Sequence, residues 1–426
     1  MRGEGWRQAF DGLLAALGVF AVLVFQSGVY QYAVGGLSTL PFGLRLVYYG
    51  FWAVSGAAAL LCIVRVPGIF KRLLPLYLSL GAVAVLAMTY PPLGVASRSL
   101  VLFSLAVSVI TTIVASTRYA QAVLRLGAAM TAATALVMLA EMFFPGALSM
   151  VEGRSAGIMV NPNVAGAALV LSGTATAPFA PKGWRGPFAV LVCAGVLATV
   201  SRTSLLALVL ASVAAEAATW LWRRKAWPTI NLDQVMRSAV TAIFCAAVFA
   251  AALQSNDVVA TAATNSASTA FTSVQSAREA RAAVEAVSPS VEVDGTATPE
   301  KTAAVVAEEL GQADSGAARI VLMLNAAEEI TLWGKGAEQA HALAPHNWYL
   351  FFAVAFGVAG VLAIFALTGA VMFTSWVNLP FAFAFSLILV FTHDLTMMAL
   401  AVPVALGCAS AVVIKRQEDP WNASSV

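Results

Sequence analysis

Runs of roughly twenty consecutive apolar residues recur along nearly the whole chain, and they constrain its fold more than any other feature. A helix needs about 20 residues to cross a hydrocarbon core about 30 Å thick, where each backbone N–H and C=O must be satisfied inside the protein. Such runs lie at 9–26, 44–64, 73–90, 99–117, 121–144, 163–180, 186–201, 204–222, 237–253, 347–372, 376–392 and 395–414. They predict an all-α polytopic membrane protein of about twelve transmembrane helices. The composition excludes a soluble domain: 60% of the residues are hydrophobic and 11% charged, against about 25% charged in soluble domains.

Arg2 and Arg7 precede the first run, and no small-residue cleavage pattern follows it, so it reads as an uncleaved signal-anchor. Basic residues near span ends are retained in the cytoplasm. With the N-terminus inside, Arg65, Lys71, Arg72, Arg118, Arg125, Lys182, Arg185, Arg223, Arg224, Lys225, Arg237, Lys415 and Arg416 also fall on the cytoplasmic side. Both termini are then cytoplasmic, and the expected location is a bacterial inner membrane. The net charge of +3 follows from this topology and gives no reason to expect nucleic-acid binding. Cys62, Cys193, Cys245 and Cys408 stand singly within spans, without CxxC spacing, and read as packing residues. The Asn422 sequon falls on the cytoplasmic side and carries no weight.

One long hydrophilic stretch divides the chain into a membrane unit of nine spans (1–253), an extracytoplasmic loop (254–345) and a second membrane unit of three spans with a short tail (346–426). The first half of the loop, rich in Ala, Ser, Thr and Val, does not specify a core. Its second half predicts two helices. One starts at Thr298-Pro299-Glu300 and stops at Gly311, and the other runs from Ser315 to Gly334 or Gly336.

Four arginines fall at the outer ends of spans or in short outer loops: Arg45, Arg98, Arg154 and Arg202. A buried arginine in lipid costs about 3 kcal/mol on insertion scales, so such residues face a bundle interior or watery cavity, or else snorkel to the headgroups. Snorkelling suffices for Arg45 and Arg98. Arg154 and Arg202 share their face with Asn161, Asn163, Arg319, Lys335, His346 and His393, and several cations on one face point to an anion site.

Three segments carry a resemblance: "GRSAGIMVNPNVAGAALVL" from Gly153, "TVSRTSLLAL" from Thr199 and "PHNWYLFFAVAFGVAGVL" from Pro345. In kind and order they resemble the motifs of the O-antigen ligase and polymerase superfamily. That family has a Pro-Asn turn opening a span, a Ser-Arg pair about forty residues later, and a long periplasmic loop ending in His-Asn. The resemblance covers the chain from about Ala140 onward. It implies a membrane glycosyltransferase that takes a glycan from undecaprenyl pyrophosphate and gives it to a lipid or glycan acceptor such as lipid A-core, with inversion and no covalent enzyme intermediate.

The chemistry of such a transfer assigns roles to the residues. A lipid-pyrophosphate leaving group needs positive charge at its oxygens, and the planar fork of arginine suits it. Arg202 and Arg319 are the first candidates, and Arg154, on a longer loop, is the third, with orienting sugar as its alternative role. The resemblance maps the periplasmic histidine to His346, which would take the proton of the acceptor hydroxyl, as an imidazole titrating at about 6.5 can do near neutrality. The structural alternative for His346 is a helix-entry residue bonded to backbone beside Asn347. Lys335, between two glycines, would reach the pyrophosphate, or else remain solvated. His393 and Asp394 form a polar pair between the last two spans that orients a base or satisfies itself.

Asn161-Pro162-Asn163 reads mainly as a helix start, with Pro162 keeping Asn161 out of the helix and Asn163 capping the span that begins at Val164; a sugar contact is the second reading. Thr203 stands where the family commonly has glycine, which questions the tightness of that turn. No Asp-x-Asp occurs, and the outer acids Glu141, Glu152 and Asp394 are scattered, so transfer without metal or other cofactor is expected. Polymerisation of lipid-linked repeats fits the same residues. A polysaccharide or lipid transporter or flippase also fits a dozen spans, although two related halves with broken helices would be its sign. A non-catalytic envelope-assembly partner is the third rival.

Overall fold

A computed structural model describes residues 2–35, 42–89, 94–223, 232–264, 315–391 and 398–418, and these are all-helical, with no strand among them. The helices are α1 (Arg2–Ala21, continued by a π-helical turn, Val22–Gln26), α2 (Val29–Gly35), α3 (Phe42–Arg65), α4 (Pro67–Met88), α5 (Val95–Ser116), α6 (Ala120–Glu141), α7 (Pro162–Thr176) and α8 (Arg185–Ala198). They continue as α9 (Arg202–Arg223), α10 (Leu232–Ser255), α11 (Ser315–Glu328), α12 (Ala337–Ala342), α13 (Trp348–Thr374), α14 (Leu379–Phe391) and α15 (Met398–Glu418). Residues 257–264 are also helical.

Among the described residues, eight helices are long and apolar enough to cross a membrane: α1 with its π turn, α3, α4, α5, α6, α10, α13 and α15. The chain is therefore a multi-pass α-helical membrane protein. Each of the other four expected spans also contains a helix: α9, of 22 residues, and α7, α8 and α14, of 15, 14 and 13 residues. At 1.5 Å per residue α7 and α8 measure about 22 and 21 Å, less than a hydrocarbon core of about 30 Å. At least one end of each therefore lies within the thickness that the longer helices cover.

α7 is the buried axis of the bundle, with every residue from Val164 to Thr176 buried. Its sequence explains this, because small residues let backbones approach where lipid supplies no hydrophobic drive for helix association. A Cβ on Gly173 would lie 2.8 Å from Val192 of α8, and one on Gly166 would lie 2.6 Å from the Ser204 hydroxyl of α9. Gly195 of α8 is held as closely against Ala135 of α6, where a Cβ would approach to 2.8 Å. α15 is nearly as enclosed, its residues Ala399 to Val413 all being buried.

Long-range contacts define two ends of the bundle. At one end Gly28 packs on Ile158 and Met159, Ser155 N–H donates to Ala198 O (3.0 Å), Gly153 lies against Val258 and Ala262, and Glu338 meets the start of α5. At the other end Thr117 Oγ1 donates to the carbonyl of Asp11 (3.1 Å), Arg65 lies over the rings of Phe10 and Trp6, and Gly183 approaches Arg237. Near that end Asn378 Nδ2 donates to Thr174 O (3.2 Å) and to Ser410 Oγ (3.1 Å).

α13 is broken inside its length. Gly357 adopts φ 58°, ψ −139°, which interrupts the helical ladder. The groups freed by the break are met by a segment that arrives from the long loop. Lys335 N–H donates to Val354 O (2.8 Å), Gly336 N–H to Ala355 O (2.8 Å), and Val358 N–H to Leu332 O (3.1 Å). Two glycines permit the approach: a Cβ on Gly357 would lie 2.1 Å from Leu332 O, and one on Gly334 (φ +83°) would lie 2.4 Å from Ala355 O. This pairing corrects the expected end of the preceding helix. α11 stops at Glu328, short of Gly334, and Leu332, Lys335 and Gly336 bond to α13 instead of extending that helix. The expected helix after Thr298 lies outside the described residues.

Candidate functional site

The site end of the bundle is built around a buried carboxylate. Glu141, the last residue of α6, is 4% exposed and accepts four backbone hydrogen bonds. Leu148 N–H and Ser149 N–H reach Oε1 at 3.1 and 2.6 Å, and Ala156 N–H and Gly157 N–H reach Oε2 at 2.9 and 2.7 Å. Charge-assisted bonds of this kind are about twice as strong as neutral ones. Glu141 thereby gathers the 142–161 loop into one conformation over the starts of α7 and α9.

That loop delivers Arg154. Its Nε donates to Thr199 O (3.0 Å) and its Nη2 to Asn163 Oδ1 (2.8 Å), so the guanidinium joins the C-terminal turn of α8 to the first turn of α7. The geometry corrects the expected helix cap. Asn161 (φ −99°, ψ 117°) is the N-cap of α7, its Oδ1 accepting from Asn163 N–H (2.9 Å) and Val164 N–H (3.4 Å), with Pro162 at the first helical position. Pro162 forces extended backbone on the residue before it, and extended backbone is what an N-cap has. Asn163 is left to hold the arginine.

The α8–α9 connection is Thr199-Val200-Ser201, with Val200 at φ +50°. Ser201 N–H donates to Thr199 Oγ1 (3.2 Å), and the Ser201 hydroxyl meets those of Ser204 (2.9 Å) and Thr203 (3.3 Å). The turn therefore stays tight with threonine at 203, since the strained residue is Val200 and Thr203 already lies inside α9. Arg202, half-buried, is the first residue of α9. Arg154, Asn161 and Asn163 thus meet at the start of α7, and Arg202 opens α9 three residues after the Thr199 carbonyl that holds Arg154.

A second group lies where the long loop enters α13. Asn347 (φ −148°, ψ 122°) caps α13, its Oδ1 accepting from Leu350 N–H (3.0 Å). His346 immediately before it is half-buried and sits at φ +49°, and Ala344 at φ +43°. Non-glycine residues in this region are held there by their surroundings, at a cost of about 1–3 kcal/mol each. Lys335 is fixed through its backbone to α13, and its ammonium is ion-paired with Glu329. Glu338 of α12 accepts from Ala96 N–H (3.2 Å) and Ser97 N–H (2.9 Å), so a residue from the far side of the loop caps α5. Arg319 lies in α11, but its side chain is outside the described residues, as are His393 and Asp394.

An apolar groove of about 620 Å³ is lined by Leu210 and Val213 of α9, Tyr349 and Phe365 of α13, and Phe383 and Leu387 of α14. Arg202 lies two helical turns before Leu210, and His346 three residues before Tyr349. Sequence reasoning missed Glu141, Glu329, Glu338 and Thr199. Glu141 had one legible signal: it is an acid closing an apolar span ahead of a loop, Phe144 to Gly157, that carries Pro145 and three glycines and has many N–H groups to satisfy. Searches of family profiles, curated proteins and solved structures match nothing to this chain.

Proposed function

We propose that this chain is a membrane glycosyltransferase of the O-antigen ligase and polymerase type, moving a glycan from undecaprenyl pyrophosphate to a lipid or glycan acceptor at the periplasmic face of a bacterial inner membrane. The observation that carries the reading is an arginine pinned to the α8–α9 turn, Arg154, and another opening α9, Arg202, on a helix that also lines an apolar groove with α13 and α14. A polyprenyl pyrophosphate has the matching shape: a long hydrocarbon tail and an anionic head. Arg202 is the first residue of α9, and a helix N-terminus, with its unpaired N–H groups, suits an anionic head.

In the reaction so read, the acceptor hydroxyl attacks the anomeric carbon, the bond from that carbon to the pyrophosphate oxygen breaks, and the acceptor proton passes to His346. Arg202 and Arg319 neutralise the departing pyrophosphate, with Lys335 in support. Arg154, Asn161 and Asn163 shape the sugar side, and Asn347 holds the entry to α13 beneath His346. His393 and Asp394 remain in the proposal as a pair that orients the base. Cytoplasmic termini are part of the proposal, and the basic residues near the end opposite the site support that orientation. The end opposite the site also gathers Arg65, Arg118, Lys182, Arg237 and Lys415.

The test is a surface-glycan gel of a deletion strain complemented with wild type, Arg202→Ala, Arg319→Ala or His346→Ala at matched protein levels. Uncapped core with polymer retained on undecaprenyl pyrophosphate identifies a ligase. Core bearing single repeats, or loss of a free polymer, identifies a polymerase. Full complementation by all three variants rejects the catalytic reading. A lipid or polysaccharide transporter is the second reading, favoured by the break in α13, because interrupted helices are a mark of transporters. It requires translocation of lipid-linked glycan by proteoliposomes without formation of a new glycosidic bond.

A further inference from the structure

The segment that fills the break in α13 has a property that its place in a hydrophilic loop does not suggest. Ile330, Leu332 and Trp333 are 46%, 64% and 79% exposed. Between them only Thr331 is polar, and its hydroxyl accepts from Gly334 N–H (3.0 Å). Three large apolar side chains thus project from a stretch whose backbone is locked to a helix.

Its depth follows from helix geometry. α13 has 27 residues, about 40 Å at 1.5 Å per residue, against a hydrocarbon core of about 30 Å. Gly357 lies nine residues after Trp348, about 14 Å along the axis. Even if all the excess length of about 10 Å protrudes at the His346 end, the break lies about 4 Å inside the core. Irregular backbone at that depth must be satisfied by protein. Lys335 N–H, Gly336 N–H and Leu332 O supply what Val354 O, Ala355 O and Val358 N–H lack.

The exposed side chains also continue a lipid-facing surface. Leu332 is bonded through its carbonyl to Val358, and Val358, Leu362 and Phe365 on α13 are 51%, 66% and 60% exposed. Leu332 prolongs that stripe from the spanning helix onto the loop segment. Two residues beyond Trp333 stands Lys335, paired with Glu329, and an aromatic followed by charges is the order found where hydrocarbon meets headgroups.

We infer that residues 330–334 form a re-entrant wedge whose Ile330, Leu332 and Trp333 side chains are immersed in the acyl chains of the bilayer leaflet at the His346 end of α13. The loop that ends there is thereby stapled into the membrane as well as to α13. This does not depend on what the protein catalyses or transports.

The test uses full-length protein in lipid nanodiscs. Trp333→Cys and Ile330→Cys are treated with a charged, water-soluble maleimide, beside Leu362→Cys as the lipid-facing reference and Glu152→Cys as the water-facing one, with the wild type and its native cysteines as blank. Thiolate is the reacting species and does not form in hydrocarbon, so both wedge cysteines are expected to react at least about tenfold more slowly than Glu152→Cys. As a check free of cysteine substitution, the emission difference between wild type and Trp333→Phe should be quenched by brominated acyl chains and spared by iodide. Labelling of both wedge cysteines at the Glu152→Cys rate, or a difference emission quenched by iodide alone, overturns the inference.

Discussion

Glu141 shows how one buried side chain can organise a whole loop. Its two oxygens satisfy four N–H groups of the loop that carries Arg154, and removing a buried charged acceptor leaves those donors unpaired at about 1–3 kcal/mol each. Glu141→Ala is therefore expected to destabilise the protein by about 3 kcal/mol or more. The check is protease sensitivity, with new cleavage between Met150 and Asn161. Unchanged cleavage there would show that the loop holds itself. Arg154 supports a second expectation. Its fork makes one bond to Thr199 O and another to Asn163 Oδ1, which a lysine ammonium cannot reproduce in the same plane. Under the proposed glycan transfer, Arg154→Lys should lose most of the product, about tenfold or more, while accumulating normally. Equal activity of the two proteins would reduce Arg154 to a source of charge.

The informative elements are the short and the broken helices. α7 is brief because Pro162 and the Asn161 cap set its start, and it is buried because alanine and glycine dominate its faces. α13 breaks at Gly357, since glycine alone tolerates φ 58° with a carbonyl where its Cβ would be. Gly357→Ala and Gly334→Ala should each sharply reduce the yield of monodisperse protein in fluorescence-detected size-exclusion chromatography, with Gly369→Ala as the control, since a Cβ there meets nothing within 4 Å. Normal yield from both would mean that residues 332–336 leave the break without consequence. The cap on α5 is weaker. Loss of the Glu338 carboxylate from an N-terminus costs about 1–2 kcal/mol, so Glu338→Ala should lower thermal stability modestly, read as Tm in detergent.

For the molecule as a whole, the bundle threads back and forth between two ends that differ in charge and polarity. Alkaline phosphatase fused after Ser255 is expected to be active, and the same reporter fused after Arg223 inactive; the reverse pattern would invert the proposed orientation. All twelve apolar runs contain helices, and their ends are mostly within a few residues of expectation. That much was legible because crossing a membrane is a local demand: each segment must satisfy its own backbone and be apolar enough, and both properties are written in consecutive residues. The cluster of Arg154 with Asn163 was legible only as co-location on one face, since a stretch such as Gly153 to Gly166 shows the cations and turns but not their partners. Glu141 looked like a scattered acid, and Gly334 and Gly357 looked like ordinary glycines. Their roles depend on which N–H groups and carbonyls other segments bring to them. The fold class and the candidate residues thus follow from local chemistry along the chain, whereas the bonding of Arg154, the strain at His346 and the re-entry of residues 330–334 were decided by tertiary packing, because a polar group buried among helices takes its partner from whatever the fold places beside it.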